Sequence, residues 1–389
     1  MCEVKYWVWL SLCLGAGAKI KELLDYFSTP KKIYESDIFD YHDSDLISEA
    51  KLDSIAKYSL EDACRIIDVC EQNGWDIIAY DDIRYPDILK DISNPPAVLY
   101  VNGEMPDFDN ALTIAVVGTR KASPYAKKAA EVISKELAES GAIIVSGGAL
   151  GIDSAAHLGA IKAKGKTVAV LGCGLASNYL KTNKELREQI INSGGAVISE
   201  FAPSVGAGKH TFPIRNRIIS GLSRGVLVAE SANKGGSLIT AECAKKQGRD
   251  VFAIPGSIFD TAFCGNNNLI DEGAYVVTGA HSVLKHYAFD YPELNPAVPE
   301  TVYNLPSDRQ YTFDNIVSER KAENERQEQA LTLSENERKV YYALSDEYIN
   351  IEVLQSETGL PSSMLMAMLS LLESKGLAEN KGSVLFRKK

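Results

Sequence analysis

A chain of 389 residues has room for two or three domains, and 45% hydrophobic with 24% charged residues is an ordinary composition for a folded, water-soluble protein. The net charge of −11 argues against affinity of the whole chain for nucleic acid, yet between Asn110 and Lys285 twenty Lys and Arg stand against thirteen Asp and Glu, a local +7 that leaves −18 for the remainder. Seven scattered cysteines without a C-x-x-C pair point to a reduced, cytosolic protein with no structural zinc, and no apolar run is long enough to span a membrane.

Residues 1–75 read as a helical domain. The apolar stretch from Tyr6 to Ala18 lacks the basic flank of a signal peptide. It continues amphipathically through Ile20, Leu23, Leu24 and Phe27, so a folded helix pair is expected. The turn Gly15-Ala16-Gly17 gives this pair a SAM-like or helix-hairpin-helix-like shape, which can meet phosphate through backbone amides. A glycine turn between helices is more often only a turn, and the acidic stretch Asp37 to Asp45 opposes DNA contact there. Residues 76–109 read as short strands and turns, with Trp75 to Tyr80 and Val98 to Gly103 as the apolar runs, bridging into a main sheet.

Residues 110–289 alternate apolar runs with helical segments. Thr113 to Val117 breaks at Gly118-Thr119-Arg120; a helical pattern runs from about Ser123 to Ser140. Ala142 to Val145 then breaks at Ser146-Gly147-Gly148, and a second helix starts near Asp153. Further runs lie at Thr167 to Leu171, Ala196 to Ser199, Val226 to Glu230, Val251 to Ile254 and Tyr275 to Thr278. This alternation predicts an α/β fold: an extended, Rossmann-like, doubly wound and mostly parallel sheet. Residues 290–333, with four prolines and the charged run Ser318 to Gln329, read as a linker. Residues 334–389 read as a small winged-helix-like domain of three helices and a hairpin, opened by a Ser334/Glu337 capping box. Its third helix carries Met364, Leu365, Met366, Met368 and Leu369 but no cation before Lys375, which favours protein contact over base reading.

Most catalytic signatures are missing. There is no Walker loop, no G-x-G-x-x-G after the first strand, no G-x-S-x-G and no H-E-x-x-H. Of the five histidines, His157 lies one turn after Asp153, where a local hydrogen bond is the expectation. What remains is a set of loops at the carboxyl ends of expected strands, where open α/β sheets bind ligands. Gly118, Thr119 and Arg120 offer close backbone approach, a hydroxyl and a guanidinium. Ser146, Gly147 and Gly148 offer unhindered amides at a helix start. Gly172-Cys173-Gly174 leads to Tyr179, Lys181 and Asn183. Lys209, Phe212, Arg215, Asn216 and Arg217 set an aromatic among cations and an amide, the composition of a single-strand binder. Gly236 and Ser237 open a further helix. Each loop alone has a plain structural reading; Phe212 as core, or Arg215 and Arg217 paired with carboxylates, are the obvious ones.

Together these motifs resemble the bacterial DNA-processing protein A (DprA/Smf) family. The resemblance rests on Gly118-Thr119-Arg120, Ser146-Gly147-Gly148-Ala149 with Gly151-Ile152-Asp153, Phe212-Pro213, Arg215-Asn216-Arg217-Ile218-Ile219-Ser220-Gly221 and Gly236-Ser237-Leu238-Ile239-Thr240-Ala241. Val251-Phe252-Ala253-Ile254-Pro255-Gly256 and Asn268-Leu269-Ile270 agree with it. The resemblance implies a non-enzymatic, homodimeric, cytoplasmic protein without cofactor or metal. Such a protein binds and protects incoming single-stranded DNA and loads the RecA recombinase onto it in natural transformation or recombination. It also implies that Arg120, Lys181, Lys209, Phe212, Arg215 and Arg217 line the DNA pocket. Leu180 stands where the family usually has proline, Gly235 where it often has serine, and glycines fill the loop from Ser204 to His210 where it is often proline-rich. The competing expectation is a nucleotide-hydrolysing enzyme akin to phosphoribohydrolases of similar fold, because Gly235-Gly236-Ser237-Leu238-Ile239-Thr240 followed by Glu242 partly echoes their phosphate loop. A nucleotide-sensing module is a third.

Overall fold

The computed structural model describes residues 3–44, 46–177, 182–292, 294, 333–345, 348–382 and 384–388. They fall into two compact units, Met1–Val302 and Tyr303–Lys389. Of the expected linker, 290–333, residues 293 and 295–332 lie outside the described residues.

The first unit is built on one nine-stranded sheet. In chain order its strands are β1 (Asp76–Ala79), β2 (Val98–Gly103), β3 (Thr113–Val117), β4 (Ile143–Ser146), β5 (Thr167–Val170), β6 (Ala196–Ser199), β7 (Gly225–Val228), β8 (Asp250–Ala253) and β9 (Tyr275–Val276). In space they run β1-β2-β6-β5-β4-β3-β7-β8-β9. From β6 across to β9 every pairing is parallel; β1 and β2 add an antiparallel edge, with Tyr100 opposite Ser199. Residues 76–109, expected as a bridge, therefore supply two strands of the sheet itself.

The continuous apolar runs follow from burial on both faces. Successive side chains of β3 point to opposite sides. Ala115 and Val117 join a core with Leu89, Ile198, Ile219 and Ala241. Ile114 and Val116 join another with Ala130, Leu137, Ala156 and Val283. The six helices between Val4 and Gln72 bury Trp7, Trp9 and Leu10 against Val98 and Tyr100 of β2. Among the described residues no helix is long and apolar enough to cross a membrane.

In the second unit the helices Glu335–Ala343, Ile351–Thr358 and Ser362–Ser374 surround a core that includes Leu354, Leu365 and Phe386. The capping box is present, with Ser334 N donating to Glu337 Oε2 at 2.9 Å. The hairpin of β11 (Ala378–Lys381) and β12 (Leu385–Lys388) gains a third strand not read from the sequence, β10 (Ile349–Asn350), which pairs with β12.

His157 departs from its expected local bond. Its ring is fully buried, and Nδ1 lies 2.8 Å from Thr167 Oγ1 on β5. That hydroxyl donates to Ile144 O at 2.8 Å, so it accepts the proton of His157 Nδ1. Burial, and secondarily the charge of Arg215, push the imidazole from its ordinary 6.5 down to about 3. A histidine held neutral in the fold protonates more readily once unfolded. Its stability contribution is thus complete above about pH 6.5 and is lost as pH falls toward about 3, at up to about 1.4 kcal/mol per pH unit. Asp153 and Glu200, both raised by burial, act in the opposite sense, so a paired comparison isolates the histidine. The urea-derived stability of the wild type relative to His157→Gln is expected to shrink between pH 7 and pH 4.5. A gap that stays constant over that range counts against a buried neutral His157.

Candidate nucleic-acid interface

The order of the sheet sets the site. From β3 the chain winds outward through β4, β5 and β6, then crosses back to place β7 on the other side of β3. The loops leaving β3 and β7 diverge, and their crevice is where an open α/β sheet takes ligands. Two hollows open there, of ≈ 520 and ≈ 200 Å³, sharing Arg120, Ala149, Phe212 and Arg215 in their walls. We describe them as one groove.

Arg120 stands exposed on the loop after β3. Its guanidinium lies 4.7 Å from the centre of the Phe212 ring. The glutamates that follow β6 and β7 are engaged elsewhere. Glu230 accepts from Ser123 N at 3.1 Å and from Ser123 Oγ, and Glu200 pairs with Arg217 at 2.5 Å. Arg120 thus has no ion-pair partner among the described residues, and an unpaired cation stacked on an aromatic face lies between the two hollows. The Phe212 ring packs so closely on the end of β5 that a Cβ at Gly172 would lie 2.9 Å from its Cδ1.

Arg215 is only 5% exposed and forms part of the floor. It donates to Gly147 O at 2.8 Å, to Val170 O and to Asn216 Oδ1, tying together the ends of β4 and β5. Beside it, burial raises the Asp153 carboxyl, with Arg215 pulling the other way. A Cβ at Gly147 would lie 2.6 Å from both Arg215 Nη1 and Asp153 Oδ2, so a larger residue there must displace these buried side chains. At Gly118 a Cβ would meet Ile152 Cγ1 at 2.4 Å, so the β3 loop sits directly on the start of the helix Ile152–Lys162 that follows β4. Thr119 joins the loops through its backbone, donating to Glu230 O at 2.9 Å and accepting from Ile152 N at 3.3 Å.

Gly236 and Ser237 open the helix Gly236–Lys246 at the edge of the larger hollow, where the helix start favours an anion. Asn216 reaches Gly236 O at 3.4 Å, and Ser237 Oγ donates to Ser231 Oγ at 2.9 Å. Gly148 and Asn183 line the smaller hollow; Asn183 donates to Ser154 Oγ at 2.9 Å.

Four expected residues stand apart. Ser146 is fully buried and bonds across to Val116 O at 2.6 Å, so it joins strands rather than facing a ligand. Lys209 is exposed but lines neither hollow. Lys181 lies outside the described residues. Arg217 points away from the groove, 7% exposed at its side chain, into its pairing with Glu200. Conversely, Lys234 and Arg187 are groove-lining cations that the motif reading passed over. Lys234 directly precedes Gly235-Gly236, and its place in a loop at the end of a strand was the available signal.

The sequence profile of the family described as DNA recombination-mediator protein A matches residues 76–288. The chain is 39% identical over 231 residues to the DNA processing protein DprA of Bacillus subtilis, covering 59% of this chain and 76% of that protein. The crystal structure of DprA from Streptococcus pneumoniae superposes with a TM-score of 0.62 at 35% identity, covering 72% of this chain and 97% of that one. A DNA processing protein A structure from Helicobacter pylori, described for its single-stranded DNA binding mode, gives 0.50 at 29% identity, covering 56% and 97%.

The chain belongs to the DNA recombination-mediator protein A family.

In this member of the DNA recombination-mediator protein A family the matched region ends one residue beyond the helix Ala280–Tyr287 and takes in all nine strands. The helices before residue 76 lie outside the match but are tied to it. Gly17, at the glycine turn, donates its N–H to Glu200 Oε1 at 2.9 Å, and the same oxygen accepts from Arg217 Nη2 at 2.5 Å. Gly17 O accepts from Asn94 Nδ2 at 3.1 Å. The Gly17 amide of this hairpin is therefore committed to a carboxylate of the protein itself.

Proposed function

We propose that the protein binds single-stranded DNA along this groove. The observation that carries the reading is Arg120: an exposed guanidinium with no ion pair among the described residues, stacked on Phe212 at the topological crevice. Phosphate charge and an exposed base face are what that pair complements, and a duplex hides its base faces. Arg215, Lys234 and the start of the helix Gly236–Lys246 add positive potential along the same wall. The DNA-binding set drawn from the motifs is therefore carried by Gly118, Thr119, Arg120, Gly147, Gly148, Asn183, Phe212, Arg215, Asn216, Gly236 and Ser237. Ser146 and Arg217 support it from behind.

On the family resemblance, the bound strand is incoming DNA, protected and passed to the RecA recombinase in transformation or recombination by a cytoplasmic homodimer that performs no catalysis. The hydrolase alternative is less well supported. The glutamate it needs, Glu242, is exposed, pairs with Lys246 at 2.7 Å and lines neither hollow.

Titration of a labelled oligonucleotide at several salt concentrations tests the reading. Affinity is expected to fall steeply with salt, by a log–log slope of about 0.7 per phosphate contacted, and to favour a single strand over duplex of equal length. Salt-independent affinity, or preference for one duplex sequence, overturns it. Release of free base from nucleoside monophosphates would instead support the hydrolase.

A further inference from the structure

We propose that Leu150 is a nucleobase-contacting residue at the rim of the groove, supplying the apolar part of single-strand affinity. The inference rests on the single-strand reading above. Leu150 is 52% exposed and lines the smaller hollow beside Arg120 and Phe212. A lone exposed leucine on a mobile loop carries no such meaning, but this loop is pinned on both sides. Ala149 N donates to Asp153 Oδ2 at 3.3 Å, and Ala149 O accepts from Ser154 Oγ at 2.7 Å. Gly151 has φ +85°, and a Cβ there would lie 2.4 Å from Thr119 O and 2.6 Å from Arg120 O, so the loop rests directly on the backbone of the β3 loop. The neighbours of Leu150 are thus anchored while its side chain is held at the lip.

The chemistry of the ligand follows from this juxtaposition. Arg120 offers charge to a phosphate, and the Phe212 ring and the Leu150 side chain offer two apolar surfaces along the same hollow. A deoxyribose-phosphate chain without bases uses only the first. An unpaired strand uses all three, and in a duplex the base faces are already stacked. Leu150 therefore contributes to the discrimination of single strands from duplex, without contributing to counterion release.

The test compares wild type, Leu150→Ala and Leu150→Phe on a dT 20-mer and on an abasic deoxyribose-phosphate strand of equal length. Leu150→Ala is expected to weaken dT binding about ten-fold, the scale of losing most of one apolar side-chain contact. Its melting temperature, its salt slope and its affinity for the abasic strand are expected to stay unchanged. Leu150→Phe keeps an apolar surface and is expected to stay within about two-fold of wild type on dT. Equal losses on dT and abasic strands, or dT binding by Leu150→Ala within two-fold of wild type, overturn this inference alone. Failure of the wild type to bind dT at all overturns the single-strand reading and this inference with it.

Discussion

Arg120→Ala is expected to weaken single-stranded DNA binding by roughly ten- to a hundred-fold while leaving the melting temperature in place. The magnitude is that of one charge-assisted contact, about 1.5–3 kcal/mol. The salt slope is expected to become shallower by about 0.7, because one fewer phosphate displaces its counterion. Fold stability is spared because Arg120 is exposed and has no ion pair among the described residues, while Glu200 and Glu230 hold other donors. Lys209→Ala, off the walls of both hollows, is expected to cost less. Arg215→Ala tests the contrast. It removes the donor that joins Gly147 O and Val170 O, so its loss of binding is expected to come with a lower melting temperature. Unchanged affinity and slope in Arg120→Ala would remove the central support for a DNA groove.

Glu200→Ala is expected to destabilise the first unit by about 3–5 kcal/mol, a large share of the 5–15 kcal/mol that holds an ordinary domain together. The side chains of Glu200 and Arg217 are 6% and 7% exposed, so removing the carboxylate strands a guanidinium away from water. It also leaves the Gly17 amide without its acceptor, which loosens the amino-terminal hairpin from the helix Thr211–Gly221. Burial raises the Glu200 carboxyl, with Arg217 pulling the other way, and taking a buried ion pair out of water is costly. Replacing both residues, as in Glu200→Met with Arg217→Met, is accordingly expected to recover most of the stability lost in the single variant. Urea unfolding of the single and double variants measures both effects. A loss below about 1 kcal/mol in Glu200→Ala would mean that the pair is solvated and that its geometry does not anchor the hairpin.

The elements were legible where one local rule governs them. Buried parallel strands must be apolar throughout, so β3 to β8 announce themselves as short runs of Val, Ile and Ala. Loops at the carboxyl ends of those runs face the crevice of an open α/β sheet, which is why Gly118, Gly147 and Gly236 stand out in the sequence. Less legible were β1 and β2. Their alternation is weak, and only pairing with β6, about a hundred residues later in the chain, makes them strands of the main sheet.

The Arg-Asn-Arg stretch marks the boundary between the two kinds of information. Local residue order is enough to declare an α/β sheet, the family, and the loops whose glycines allow a phosphate or a side chain to come close. It even contains a constraint that a motif list overlooks: on a helix, residues two apart do not share a face, so Arg215 and Arg217 cannot both look into one groove. Which of them does so, and where the charge of the other goes, depends on Gly147, Val170, Glu200 and Gly17. These groups lie far apart in the chain and meet only when the sheet is assembled. Burial and ion pairing are properties of that assembly, and they alone decide that Arg120 stays exposed with no ion pair among the described residues while Arg217 is buried against Glu200.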